Sequence, residues 1–64
     1  MVTEYTEEEL RKAVGLMERI GGGFASQLAI AWRRADSNNA ARLRKAFPEL
    51  VSDYVEMVRA GHEM

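Results

Sequence analysis

Apolar residues recur at a spacing of three or four along most of the chain, and no segment alternates with a period of two. This spacing is typical of amphipathic helices. Thr6 and Glu9 have the spacing of a capping box, and Tyr5 and Leu10 that of a hydrophobic staple. They predict a first helix over about residues 7–20. Its apolar face consists of Leu10, Ala13, Val14, Met17 and Ile20.

Three consecutive glycines, Gly21 to Gly23, follow this helix. Glycine readily adopts the left-handed conformation that ends helices, so the run predicts a tight reversal or hinge. A second helix is predicted over about residues 24–35, with Trp32 at the border of its inner face. That inner face is predicted to consist of Phe24, Leu28, Ala31 and Ala35. Small residues such as Ala25 and Ala29 would permit close approach of a neighbouring helix.

The polar cluster at 36–39 is typical of a turn and a helix N-cap. It predicts a short third helix over about residues 39–46. Pro48 favours the first position of a fourth helix, over about residues 48–60, although one helix kinked at Pro48 is an alternative. The inner face of this segment consists of Leu50, Val51, Tyr54, Met57 and Val58. The whole pattern predicts an all-α protein, a compact bundle of three to four short helices forming one domain over residues 1–64.

Composition limits how such a bundle is stabilised. Hydrophobic residues make up 47% of the 64 residues, too large a share for a disordered chain. Cysteine is absent, which excludes disulfides and thiolate metal sites. A core this small must rely on close helix packing or on self-association. The sequence has no apolar run long enough to span a membrane and an acidic start instead of a signal peptide, so we expect a cytoplasmic protein.

Candidate catalytic chemistry is sparse. Gly21 to Gly23 has no preceding strand and no following P-loop lysine, so a helix–helix turn explains it better than a phosphate site. The segment that begins at Asp36 lacks the glycine and the glutamate of a calcium loop. His62 is the only histidine and cannot form a zinc site alone. We therefore expect no enzyme activity, no cofactor and no metal.

Charge is uneven along the chain, although its net value is only −1. Both ends are acidic, and the middle is basic through Arg33, Arg34, Arg42, Arg44 and Lys45. Helices 2 and 3 loosely resemble a helix-turn-helix, so these residues could contact nucleic acid phosphates. Alternatively, they form a solvated face that pairs with the acidic ends of the same chain.

Apolar residues outside the predicted inner faces suggest a third alternative. Ile30 lies almost opposite the inner face of helix 2, while Leu16 and Val55 lie at the edges of theirs. Such residues are common on surfaces, but they also mark interfaces. Trp32 precedes two arginines, and tryptophan and arginine are enriched in binding hot spots. Alternatively, Trp32 only covers a small core. The candidate partner-binding residues are Ile30, Trp32, Arg33, Arg34, Arg42, Arg44 and Lys45. A structural homo-oligomer joined through Ile30 and Leu16 is a further alternative.

A family resemblance covers roughly half of the chain. Its features are a GG-x-F segment, L-A-x-A, a polar A-D-x-x-N turn and A-F-P-E-L followed by a tyrosine. They correspond here to Gly22, Gly23, Phe24, Leu28, Ala29, Ala31, Ala35, Asp36, Asn39, Ala46, Phe47, Pro48, Glu49, Leu50 and Tyr54. This pattern resembles small proteins of phages and integrated mobile elements. The resemblance implies an accessory protein that binds and modulates a host or phage protein, a group that includes anti-CRISPR inhibitors of host defence.

Together these patterns lead to one functional expectation. We expect a non-enzymatic protein of phage or mobile-element origin that binds a protein partner in the cytoplasm of a bacterial host. We expect no membrane association, and either a monomer or a weak homodimer. Binding of nucleic acid by the central basic segment and a structural homo-oligomer are the alternatives.

Overall fold

Four α-helices make up most of the chain in a computed structural model, which describes Val2 and residues 4–61. The helices are α1 (Glu7–Ile20), α2 (Gly22–Arg34), α3 (Ser37–Ala46) and α4 (Pro48–Arg59). Over the described residues there is no strand, which confirms the prediction of an all-α bundle.

The start of α1 has the capping box that its sequence predicts. The Glu9 amide donates to the Thr6 hydroxyl at 3.0 Å, and the Thr6 amide donates to the Glu9 carboxylate at 2.9 Å. Both amides would otherwise lack a partner at a helix N-terminus. The segment before α1 is also tied to α4, because the Val2 amide donates to the buried Ser52 hydroxyl at 2.6 Å.

Helix α1 is the centre of the bundle. Both α2 and α4 pack against it, while α3 contacts only α2 and α4. None of the residues of α3 is buried, so this helix connects its neighbours at the periphery without contributing fully buried side chains. The core consists of Ala13, Val14, Leu16, Met17, Ala29, Trp32, Val51, Tyr54 and Val55.

The predicted inner face of α2 was wrong at Phe24 and Ala31, although Leu28 is half-buried and packs against the core. The buried residues of α2 are Ala25, Ala29 and Trp32, whereas Phe24 is 65% exposed and Ala31 is exposed. The true face is rotated by about a quarter turn or more, since each residue advances a helix by roughly 100°. Its alanines allow α2 to lie close against α1, and the larger Phe24 is left outside.

Two residues predicted at the edges of apolar faces are in the core. Leu16 is 4% exposed and Val55 is completely buried. For Leu16 the reason is that α2 and α4 cover α1 on two sides, so more than one stripe of that helix is buried. Because Leu16 is inaccessible, the predicted homo-oligomer contact through Ile30 and Leu16 is not possible in this fold.

The glycines at the junction of α1 and α2 have different conformations. Gly21 has ordinary helical angles (φ −80°, ψ −3°), while Gly22 has the left-handed angle φ +74°. A Cβ added at Gly21 would collide with the Met17 carbonyl oxygen and lie 2.6 Å from the Ala25 Cβ. Gly22 therefore makes the turn and Gly21 makes close helix packing possible.

The break between α3 and α4 lies at Phe47, whose backbone is non-helical (φ −126°, ψ 57°). Pro48 follows at the first position of α4, so the two helices are separate. Helix α3 starts at Ser37, two residues earlier than predicted. Its N-cap is Asp36, whose carboxylate accepts from the Asn39 amide at 2.8 Å.

Candidate functional site

A groove of about 630 Å³ lies between α1, the end of α2 and α3. We call it the main groove. Its apolar lining consists of Leu10, Val14, Gly15, Trp32 and Ala40. Its charged lining consists of Glu7, Arg11, Glu18, Arg19 and Arg33. A concave site of this size with an apolar base and a few polar groups is typical of binding sites.

One side of the main groove is a regular row on α1. Arg11, Gly15 and Arg19 follow each other at a spacing of four, which places them along the same side of the helix. Gly15, between the two arginines, contributes no side chain to this row.

The rim of the main groove is more positive than negative. Arg33 forms an ion pair with Glu18 across the α1–α2 interface, so these two charges offset each other. Within the described part of the chain, neither Arg11 nor Arg19 forms an ion pair, and nor does Glu7. Two unpaired cations against one unpaired anion favour a ligand with negative charge.

The start of α1 and the segment before it are joined to the end of α4 through Arg59. The Arg59 guanidinium donates to the Glu9 carboxylate at 2.8 and 3.1 Å and to the Glu4 carbonyl oxygen at 2.9 Å. Hydrogen bonds from Arg59, and then from the Thr6 amide, lower the pKa of Glu9 from 4.5 to about 2. This network joins the end of α4 to the start of α1 and leaves the central basic segment out.

The main groove includes two of the predicted partner-binding residues. Trp32 is 6% exposed, belongs to the core and also lines the groove. Arg33 lies on its rim. Ile30 is half-buried and Arg34 is exposed at the end of α2, and neither lines the groove.

The other predicted residues lie on the exposed surface of α3. Arg42 donates to the Asn39 side chain at 3.3 Å. Arg44 and Lys45, in the last turn, form no ion pair with any residue that the structure describes. The prediction missed Arg11, Gly15 and Arg19 in the main groove. Their spacing of four was the available signal, but the apolar face of α1 dominates the pattern of that helix.

A second surface lies where α1 meets α2 and α3 meets α4. Ile20 is 57% exposed and Phe24 is 65% exposed. The Phe24 ring packs edge-on against Phe47, with centroids 5.8 Å apart and an angle of 62° between the planes. We call Ile20, Phe24 and Phe47 the aromatic patch. It shares no residue with the main groove.

Other kinds of site find no support in the part of the chain that is described. No group of three or more His, Cys, Asp or Glu side chains there could hold a metal ion. None of the helices there has the length and apolar character that crossing a membrane requires. His62 lies outside the described residues.

Comparison with known proteins identifies no relative whose function could be considered for this chain. No family model matches the chain, and neither a curated protein nor a solved structure matches it. The resemblance to phage and mobile-element proteins stays a prediction.

Proposed function

We propose that this protein is a non-enzymatic binding module whose main groove takes an acidic, amphipathic helix of another protein. The observation that carries the proposal is the apolar floor of that groove, bordered by Arg11 and Arg19, which form no ion pair with a described residue. An apolar stripe on the partner helix would contact the floor, and its carboxylates would pair with the arginines.

The length of the main groove suits a short helical segment. Its lining on α1 extends from Glu7 to Arg19, which corresponds to roughly 18 Å at the rise of an α-helix. About three turns of a partner helix would cover that length. Gly15 lies near the middle of the row, where the missing side chain allows the partner to come closest.

The biological setting is part of the same proposal. The sequence resemblance implies a phage or mobile-element accessory protein that acts in the bacterial cytoplasm. In that setting, the partner is a host protein whose activity the module modulates, and components of host defence are one class of target.

Selection from a displayed library of helical peptides tests the proposal, because it requires only the chemistry of the partner helix and not its identity. The wild-type chain should enrich amphipathic helices with a net negative charge. The double variant Arg11→Glu with Arg19→Glu should bind the enriched peptides about tenfold more weakly or worse, because like charges then face each other. The double variant Arg34→Glu with Arg42→Glu changes the net charge equally but lies outside the main groove, so it should bind normally.

Two results would overturn the proposal. One is enrichment of basic or uncharged peptides, or of none. The other is equal binding by the Arg11/Arg19 variant and the wild type, with circular dichroism showing that both are folded.

Nucleic-acid binding is the second candidate function. It is favoured by Arg34, Arg44 and Lys45, which form no ion pair with described residues and are exposed. Phosphate contacts of this kind predict an affinity that falls steeply with salt concentration. A mobility-shift assay with duplex and single strands at low salt tests it, and the absence of any shift would refute it.

A further inference from the structure

We infer that the aromatic patch is the interface of a weak homodimer. Phe24 and Ile20 are the large hydrophobic side chains that are most exposed among the described residues. They lie four positions apart in sequence, Ile20 at the end of α1 and Phe24 in the first turn of α2. Exposed apolar surface of this kind marks an interaction site in a small soluble protein.

The shape of the patch suits an apolar side chain from a second molecule. Phe24 and Phe47 line a hollow of about 380 Å³ together with Pro48 and Leu50. The edge-on contact between the two rings holds them in place before any partner binds. Little side-chain freedom would be lost on association, which favours binding.

Charges around the patch identify a second copy as the occupant. Glu49 and Asp53 line the hollow on the α4 side, and neither forms an ion pair with a described residue. Arg44 and Lys45 lie in the last turn of α3, whose final residue, Ala46, lines the hollow. Neither forms an ion pair with a described residue. A two-fold axis through the patch would place the acidic side of one molecule against the basic side of the other, twice.

The dimensions of the molecule indicate that this dimer is weak. The chain measures only 28 × 25 × 18 Å, and the aromatic patch covers part of one face, so it buries less than the roughly 800 Å² per partner of a standard stable interface. We expect association that is visible only as the concentration rises from micromolar to millimolar.

Sedimentation equilibrium at low salt tests the dimer. The wild-type mass should rise with concentration toward twice that of the monomer. Phe24→Ser should remain monomeric, while Gln27→Ser, an exposed control one turn along the same helix, should associate like the wild type.

Charge reversal gives a test that does not depend on a destabilising change. Arg44→Glu with Lys45→Glu makes the surroundings of the patch acidic, and Glu49→Lys with Asp53→Lys makes them basic. Each double variant alone should be at least about tenfold weaker in self-association, and an equal mixture of the two should form a heterodimer.

A monomeric wild type at every concentration would overturn the inference. So would unchanged association of Phe24→Ser, or a mixture that associates no better than its components. The main groove and its peptide binding are unaffected by any of these results, because the two surfaces share no residue.

Discussion

Alanine substitutions at Gly21, Gly22 and Gly23, where α1 meets α2, should change stability in three different ways. At Gly21 the backbone angles suit alanine, but the new Cβ would collide with the Met17 carbonyl oxygen and lie 2.6 Å from the Ala25 Cβ. Overpacking of this kind costs about 1–3 kcal/mol. The carbonyl belongs to the last turn of α1 and cannot move away easily. After an offset of roughly 0.4–1 kcal/mol from the stiffer unfolded chain, we expect Gly21→Ala to destabilise the fold by about 1–2 kcal/mol.

The other two glycines provide matched controls. Gly22 has φ +74° with no atom within 4 Å of an added Cβ, so Gly22→Ala should cost only about 1 kcal/mol, through the left-handed conformation. Gly23 lies in α2 with the same open space, so Gly23→Ala should stabilise the protein by about 0.5–1 kcal/mol.

Urea denaturation, monitored by circular dichroism, measures the free energy of unfolding of all three variants. If Gly21→Ala costs less than Gly22→Ala, the close approach of α1 and α2 at this position is incorrect.

Three further predictions test the core and the helix start. Thr6→Ala should lower the free energy of unfolding by about 1 kcal/mol in urea denaturation, because the capping box is lost. Leu16→Ala should cost about 2–5 kcal/mol and Ile20→Ala much less, and similar costs would contradict the assigned burial. The lowered pKa of Glu9 stabilises the fold fully above pH 4.5, and this contribution is lost as the pH falls toward 2. In Arg59→Gln, an NMR titration should find the Glu9 pKa closer to 4.5, and acid unfolding should begin at a higher pH.

Local signals predicted the helices well. Thr6 with Glu9, the glycine run and Pro48 act through neighbouring backbone groups, so their effect is contained in a few residues. The boundaries derived from them differ from the observed ones by at most two residues at each helix end.

The orientation of α2 could not be predicted in the same way. Hydrophobicity alone ranks Phe24 above Ala25 and Ala29, but the closest packing against α1 requires small side chains. Which residues are buried depends on the distance between two helices, and this distance is a property of the tertiary structure.

The candidate site was predicted only in part for a related reason. Trp32 and Arg33 are adjacent in sequence, and the sequence predicts both as partner-binding residues. The opposite side of the main groove comes from α1, where Arg11 and Arg19 look like ordinary solvent-exposed residues until α2 and α3 are placed beside them. Likewise, Phe24 and Phe47 meet only because α3 returns the chain to the start of α2.

The proposed binding of an acidic helix has a direct reporter in Trp32, the only tryptophan of the chain, whose side chain lines the main groove. An NMR titration with an acidic amphipathic peptide should shift the Trp32 indole resonance and the Gly15 amide in a saturable manner. The same peptide should leave both unchanged in the Arg11→Glu, Arg19→Glu variant. No shift in the wild type, or shifts confined to the aromatic patch or to the basic surface of α3, would contradict the proposed function.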